Sequence, residues 1–259
     1  MIPGWGSRPR PVLGVVSPAF RNGKHPESDR PTGHQRVNWR WTNAATSGTL
    51  HQVNCVVQEL ALDEYTVARR MIATTFADEP FAYGMFGESP VDRFEGMMGE
   101  YASWPDAVDP VVVAAVLAGV VVGVGYATLP GNCSLCDRSD ETNEPGHSAH
   151  PIEIEFQSAC RHAHLSQKLP PHAHVSTVAT DHFLRGSGVG RLVVEGLLGR
   201  LATAGVDTVV LECLTARGRF YERFGFRRLT EFPDPGGPDL RSVLMRLDQH
   251  ERSTGPHPT

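Results

Sequence analysis

The sequence predicts an α/β or α+β domain built around one central sheet. Strand and helix patterns alternate along most of the chain, a valine-rich hairpin lies near its middle, and a strand runs through a glycine-rich turn into a helix over Ala179–Leu201. With 259 residues, 40% of them hydrophobic, the chain is long enough to bury one substantial core.

Residues 1–52 have the composition of a disordered tail. They are rich in Pro, Gly, Arg, Asn, Ser and Thr and show neither helical nor strand periodicity. Such a segment buries too little apolar surface to offset its ordering entropy. We therefore assign the folded domain to residues 53–248 and expect residues 249–259 to form a second disordered tail.

The first half of the domain is predicted to contain a strand, two helices and a hairpin. The strand covers Asn54–Leu62, and Asp63 stands at the N-cap of the helix that follows. A second helix is marked by apolar residues at i, i+3, i+4 and i+7, namely Phe94, Met97, Met98 and Tyr101. Two β-branched runs within Asp109–Pro130, separated by Ala118-Gly119, indicate a hairpin.

The second half alternates strand and helix. Strands are predicted over His174–Asp181, Asp207–Leu214 and Ser242–Asp248. A helix begins near Val189, and a shorter one covers Ala216–Gly225. The order strand, helix, helix, hairpin, strand, helix, strand, helix, strand is typical of one sheet covered by helices.

The glycine-rich turn has the features of an anion site. Gly186, Gly188 and Gly190 precede a helix, whose first N–H groups are unpaired and attract phosphate, and Arg185 and Arg191 flank the turn. The residues that follow exclude a Walker loop, and the glycine spacing excludes a dinucleotide fingerprint. The alternative is that the glycines only permit a tight turn and close packing of the helix.

Two segments resemble the GNAT superfamily of acyl-coenzyme A-dependent N-acyltransferases. "RGSGVG" (Arg185–Gly190) is similar to that family's Arg/Gln-x-x-Gly-x-Gly/Ala signature, and "VSTVATD" precedes it where the family has its central strand. "LECLTARGRFYERFGF" (Leu211–Phe226) resembles the family's second cofactor segment. The resemblance implies a GNAT-like central mixed sheet flanked by helices, and acetyl-CoA as co-substrate.

The resemblance also implies how the co-substrate binds. The pantetheine arm would pair with the backbone of Val178 and Thr180 in a V-shaped opening between strands. The pyrophosphate would bind main-chain N–H groups near Arg185 and Arg191; these groups belong to Gly186, Ser187, Gly188, Val189 and Gly190. Many family members have Asn seven residues before the tyrosine of the second segment, but here that residue is Leu214.

Tyr221 and Glu212 are the candidate catalytic residues. The resemblance makes Tyr221 the proton donor to the departing thiolate; the alternative is that its ring only packs on the sheet. Glu212, near the end of a strand beside the opening, is the candidate general base, because partial burial would raise its pKa. His172 and His174 are alternative bases, and ordinary surface roles remain open for all three.

The segment Gly131–His174 is an insertion longer than the family's usual turn. Its Cys133-x-x-Cys136 and His147-x-x-His150 pairs are residue types that bind zinc, but the separations match no standard site, so we assign no metal. Apolar residues predict a helix that covers the acceptor side of the cleft: Ile152, Phe156, Ala159 and Ala163.

Composition narrows the function classes. A net charge of −5 argues against nucleic acid as a partner, and no apolar run is long enough for a membrane span. Five scattered cysteines do not suggest a disulfide framework, which favours the cytoplasm. We predict an N-acetyltransferase that acts by direct attack of a primary amine, on a small molecule or peptide. The alternatives are a non-catalytic acyl-CoA sensor and a zinc-stabilised interaction protein; the acceptor, and whether the chain forms a homodimer, stay open.

Overall fold

The computed structural model describes residues 37–38, 55–60, 64–102, 110–133, 135–136 and 150–250. The predicted tails lie outside the described residues, apart from a two-residue strand at Val37–Asn38 and from residues 249–250. Asp63 and His147 also lie outside them, and the structure has Glu64 at the N-cap of the first helix.

The described strands form one sheet. They are β1 (Val37–Asn38), β2 (Cys55–Glu59), β3 (Pro110–Leu117), β4 (Val120–Thr128), β5 (Ala173–Thr180), β6 (Thr208–Leu214), β7 (Arg227–Pro233) and β8 (Arg241–Asp248). Among the described residues the sheet is eight-stranded, in the order β1-β2-β3-β4-β5-β6-β8-β7. Each neighbouring pair is antiparallel except β5 with β6, which is parallel. The prediction of a central mixed sheet is confirmed.

The valine-rich segment is the hairpin that the sequence predicts. β3 and β4 pair from Pro110↔Thr128 to Leu117↔Val120. Ala118 and Gly119 form the connection with φ of 49° and 82°. Positive φ at both positions gives the turn the twist that two antiparallel strands need. The turn residues and the β-branched runs on either side of them therefore indicate the same hairpin.

Helices cover both faces of the sheet. They are α1 (Tyr65–Phe76), α2 (Pro80–Phe86), α3 (Pro90–Glu100), α4 (Pro151–Ser166), α5 (Val189–Thr203) and α6 (Gly218–Glu222). On β3, Val111 and Val113 pack in the core under α5, whereas Val112 and Ala114 pack in the core under α1. This alternation gives three layers, with the sheet in the middle.

The predicted insertion helix is α4. It buries Cys160 and Ala163 against Val210 of β6 and Leu244 of β8. His150 is its N-cap, and His150 Nδ1 accepts a hydrogen bond from the N–H of Ile152 at 3.3 Å. The insertion is thus fixed to the same sheet that carries the glycine-rich turn.

A close approach of α5 to β4 depends on Gly125. A Cβ atom there would lie 2.9 Å from Val193 Cγ1 and 3.3 Å from Leu197 Cδ2. We expect Gly125→Ala to lower the free energy of unfolding by about 1–3 kcal/mol, because the helix must shift to relieve the overlap.

Urea denaturation measures this loss, and Gly199→Ala is its matched control. Gly199 lies on α5, and a Cβ atom added there would meet nothing within 4 Å, so alanine is expected to be neutral or to add about 0.5–1 kcal/mol. An equal loss in both variants would contradict the close contact at Gly125.

Candidate active site

A gap opens between β5 and β6. The two strands pair only from Ala173↔Val209 to Val175↔Leu211, and both then continue without pairing to each other. The register between β4 and β5 shifts at this level, so that Ser176 has no partner in β4. Such a bulge bends its strand, and the bend accompanies the separation of β5 from β6. The result is a V-shaped opening toward the carboxyl ends of both strands.

Main-chain groups of β5 face this gap. The N–H of Asp181 donates to the carbonyl of Val122 at 3.0 Å and so points toward β4. Backbone polar groups of successive strand residues point to alternate edges, so those of Val178 and Thr180 point away from β4. This is the orientation that the predicted pairing with pantetheine requires.

The glycine-rich turn continues directly from β5. After a short 3₁₀ turn at His182–Leu184, Gly186 and Gly188 have φ of 81° and 93°, a region in which glycine is favoured. Gly188 is the N-cap of α5, and no side chain caps this helix. Among the hydrogen bonds of the described residues, none is donated by the N–H of Gly186, Gly188, Val189 or Gly190. The turn therefore offers unpaired donors at a helix N-terminus.

Ser187 departs from the prediction for this turn. Its N–H and its hydroxyl both donate to the carbonyl of Leu184, at 3.1 and 2.5 Å. The main-chain donor of Ser187 is therefore committed inside the turn, and its predicted role in pyrophosphate binding is not supported.

The two arginines beside the turn are exposed. Arg191 Nε donates to Glu195 at 2.8 Å, and the Arg185 guanidinium lies 3.7 Å from Glu79, which also pairs with Arg217. The Arg185 and Arg191 side chains are 57% and 72% exposed. Exposed ion pairs of this kind are weak, so both cations remain available to an anion at the turn.

Tyr221 lines a cleft of about 850 Å³ that contains the gap. Its half-buried ring packs edge-on against Phe220 and Phe226, at centroid distances of 5.0 and 6.0 Å. Burial raises the pKa of its phenol above the usual range. The phenol thus stays protonated at neutral pH, as a proton donor must.

Glu212 is held by two histidines. Its Oε1 accepts from His164 Nε2 and its Oε2 from His174 Nε2, the latter at 2.7 Å. Burial alone would raise the pKa of this carboxyl, but the charges of both imidazoles and their hydrogen bonds lower it below its usual range. The expectation that burial raises the pKa of Glu212 is therefore wrong, and neither oxygen is free to accept a proton from a substrate.

The two alternative bases are also engaged. His174 is buried, which alone would lower its pKa, but Glu212 and Cys133 raise it to about 10, so the ring keeps its proton at neutral pH. His172 is buried, and its Nδ1 donates to the carbonyl of Pro170 at 2.7 Å.

Beneath the cleft lies a cluster of cysteines and histidines. His164 turns its second ring nitrogen, Nδ1, toward Cys136 Sγ at 3.2 Å and Cys133 Sγ at 3.9 Å. His172 Nε2 lies 3.7 Å from Cys136 Sγ. The sequence pattern pairs these cysteines with His147 and His150, but His150 caps α4. Spacing does not reveal His164 and His172, because the fold brings them to the cysteines from the end of α4 and from the connection before β5.

The model of the acetyltransferase (GNAT) family matches residues 83–226. The chain belongs to the GNAT acetyltransferase family. This membership confirms the predicted family and the enzyme class. No curated protein is similar enough in sequence to match the chain.

Solved structures share the GNAT fold. A protein described as arylalkylamine N-acetyltransferase 7 of the yellow fever mosquito is 16% identical, with a TM-score of 0.57 over 83% of this chain and 95% of that one. An agmatine N-acetyltransferase is 17% identical, with a TM-score of 0.54 over 75% and 99%. The C-terminal condensation domain of Ebony, bound to beta-alanyl-dopamine, is 12% identical, with a TM-score of 0.57 over 76% and 100%. At sequence identities of 12–17%, the similarity to these structures shows a shared fold alone.

The GNAT cleft continues beyond the gap to a wall of aromatic side chains. Phe156 of α4 packs against Phe81 of α2 at a centroid distance of 5.5 Å. The aromatic lining comprises Phe76, Phe81, Tyr101, Tyr126 and Phe156. The insertion helix α4 borders the cleft at this wall, through Phe156 and Gln157. None of the described helices is long and apolar enough to cross a bilayer.

Proposed function

We propose that the protein transfers the acetyl group of acetyl-CoA to a primary amine of a small molecule. The observation that carries the proposal is the gap between β5 and β6, with unpaired turn amides at one end and the Tyr221 phenol on its wall. A thioester on a long pantetheine arm, attached to a diphosphate, needs these three features in this order along one opening.

In this proposal the diphosphate binds the N-terminus of α5. The amides of Gly186, Gly188, Val189 and Gly190 donate to its oxygens, and Arg185 and Arg191 add charge. The pantetheine amides pair with Val178 and Thr180 as a partial strand. Because Leu214 has no amide in its side chain, the main chain of β5 holds the arm without a side-chain contact from that position.

Acetyl transfer then follows by direct attack. The neutral amine adds to the thioester carbonyl, whose oxygen a main-chain N–H of β5 stabilises. As the intermediate collapses, the new C–N bond remains, the C–S bond breaks, and the departing thiolate takes a proton from Tyr221. The positively charged nitrogen of the intermediate releases one proton to solvent and the Tyr221 phenolate regains one from solvent, so the products are the amide and the CoA thiol. Glu212 is not the base in this proposal, because both of its oxygens already accept from His164 and His174.

The aromatic wall supports an amine with an apolar or aromatic body. Rings attract an ammonium group and bury apolar surface, and Glu100 adds a carboxylate to the lining. Similar structures include proteins named for arylalkylamine and agmatine acetylation. A non-catalytic sensor would bind acyl-CoA at the glycine-rich turn, but it would not need the aromatic part of the cleft for an amine acceptor.

A thiol-release assay with a panel of amines tests the proposal. Acetyl-CoA is supplied with an arylalkylamine, agmatine, a polyamine and a free amino acid, and amine-dependent release of CoA is measured. We expect the arylalkylamine to react faster than the amino acid, because Glu100 repels the amino acid's carboxylate. CoA binding without amine-dependent release from any acceptor would favour the sensor, and absence of CoA binding would overturn the proposal.

A further inference from the structure

Four potential metal ligands converge beside the cleft from three parts of the insertion. Cys133 and Cys136 lie in the turn after β4, His164 in the last turn of α4, and His172 just before β5. Their donor atoms all lie within 4.8 Å of one another. The N–H of Cys136 donates to the carbonyl of Cys133 at 3.0 Å, which turns the C-x-x-C loop back on itself. The four donors thus surround one point.

The separations fit a tetrahedral zinc ion. Bonds of about 2.3 Å to sulfur and about 2.0–2.1 Å to nitrogen give sulfur–nitrogen edges of about 3.6 Å. The observed edges are 3.2 Å (Cys136 to His164), 3.7 Å (Cys136 to His172) and 3.9 Å (Cys133 to His164). A single ring nitrogen of His164 faces both sulfurs. One ring nitrogen makes one good hydrogen bond, whereas a cation at the centre of the cluster binds both sulfurs and both nitrogens at once.

Both histidines are oriented for metal binding by their second nitrogens. His164 Nε2 donates to the Glu212 carboxylate, and His172 Nδ1 donates to the carbonyl of Pro170. These bonds leave His164 Nδ1 and His172 Nε2 facing the sulfurs, and each presents a lone pair to a metal ion once the ion displaces any proton on it. Metal-bound histidines in proteins almost always have such a partner on the other nitrogen.

Burial and charge agree with this arrangement. Cys133 and His164 are each 1% exposed and His172 is 5% exposed. Two thiolates neutralise a divalent cation, so the loaded cluster carries no net charge into the interior. The set of two sulfur and two nitrogen ligands in tetrahedral geometry selects zinc among the abundant divalent ions.

A neighbouring group of His164, His174 and Glu212 does not compete for the ion. Its carboxylate oxygens contact the two imidazole nitrogens directly, Oε1 with His164 and Oε2 with His174. This leaves no room for a cation between them. Glu212 therefore orients a ligand instead of binding the metal.

We propose that Cys133, Cys136, His164 and His172 form a structural zinc site that fastens the insertion to the sheet. Four protein ligands close the coordination shell, so the ion has no position for a substrate. It joins the turn after β4, the end of α4 and the start of β5. Since α4 also supplies Phe156 to the aromatic wall of the cleft, the ion holds that wall in place.

Metal analysis of the purified full chain tests this site directly. We expect about one zinc ion per chain after reconstitution and removal of free metal. Cys136→Ser and His172→Ala are expected to lose most of the bound zinc. Cys55→Ala changes a buried cysteine outside the cluster, and His182→Ala changes an exposed histidine; both controls are expected to keep the ion.

Cobalt substitution tests the geometry of the site, and far-ultraviolet circular dichroism of the two ligand variants tests whether they keep the fold. The wild-type protein is expected to show the intense visible bands of tetrahedral cobalt and a thiolate-to-cobalt band in the ultraviolet, readouts that need no acetyl transfer. A wild-type protein without zinc after reconstitution, an octahedral cobalt spectrum, a disulfide between Cys133 and Cys136, or full zinc content in both ligand variants would overturn the site. Each of these outcomes leaves CoA binding as a separate test of the proposed function.

Discussion

Gly188→Asp is expected to weaken CoA binding by at least about 100-fold, because like charges placed in contact cost several kcal/mol. Gly188 is the N-cap of α5 with φ of 93°, in the middle of the unpaired turn amides. An aspartate there can adopt the left-handed conformation, and its carboxylate then lies beside the unpaired amides of the helix N-terminus. The donors proposed for the diphosphate are then occupied by a group of the same charge.

Gly188→Asn is the matched control for this experiment. Asparagine has the same shape and similar tolerance of positive φ but no charge. Calorimetric titration with CoA should therefore rank wild type above the asparagine variant and that variant well above the aspartate variant. Thermal melting of the two variants tests whether the fold is kept. Undiminished affinity in Gly188→Asp would contradict diphosphate binding at the turn.

Tyr221→Phe is expected to lower kcat by about 10²–10⁴, the usual range for loss of a proton-transfer group. The KM for acetyl-CoA should change little, because the ring keeps its packing against Phe220 and Phe226. Steady-state kinetics with the best amine measures both quantities. Tyr83→Phe, which removes a hydroxyl from a half-exposed ring of α2, is the control and should leave kcat unchanged.

The same assignment predicts a pH dependence. A proton donor works only below its pKa, and burial moves the pKa of Tyr221 above the reference value of about 10. We therefore expect the wild-type kcat to show no decline caused by the phenol between pH 7 and about 10. A decline in that interval that disappears in Tyr221→Phe would show that the phenol ionises earlier than this burial implies. An unchanged kcat in Tyr221→Phe would remove the residue from the mechanism.

The parts of the fold that the sequence predicts are those with local signals. The hairpin is indicated by the turn residues Ala118-Gly119. The strand, turn and helix around Gly188 are indicated by the glycines of the turn and by the apolar pattern of the strand and the helix. The pattern does not predict α2, because this helix has only seven residues and its main signal is Pro80 at its first position. It does not predict β7 either, because much of that strand is exposed and its pattern is not apolar.

The chemistry of the site cannot be predicted from the sequence where it depends on residues that are far apart along the chain. The pKa of Glu212 follows from His164, 48 residues away on α4, and not from its flanking residues Leu211 and Cys213. In the same way, the C-x-x-C spacing indicates only Cys133 and Cys136, two of the four proposed zinc ligands. The choice of histidines required the fold, which brings α4 and the start of β5 to that loop.

The short pairing between β5 and β6 has a mechanical consequence. β1 to β5 form one antiparallel half of the sheet, and β6 to β8 form the other; three residue pairs are the only ladder between them in the described chain. Beyond this ladder, the seam is held by the contact of His174 on β5 with Glu212 on β6 and by a shared apolar core that includes Val113 and Met245. A ligand that pairs with β5 along the open part of the seam would extend the ladder. Binding would therefore reduce the motion of the two halves of the sheet as well as that of the ligand.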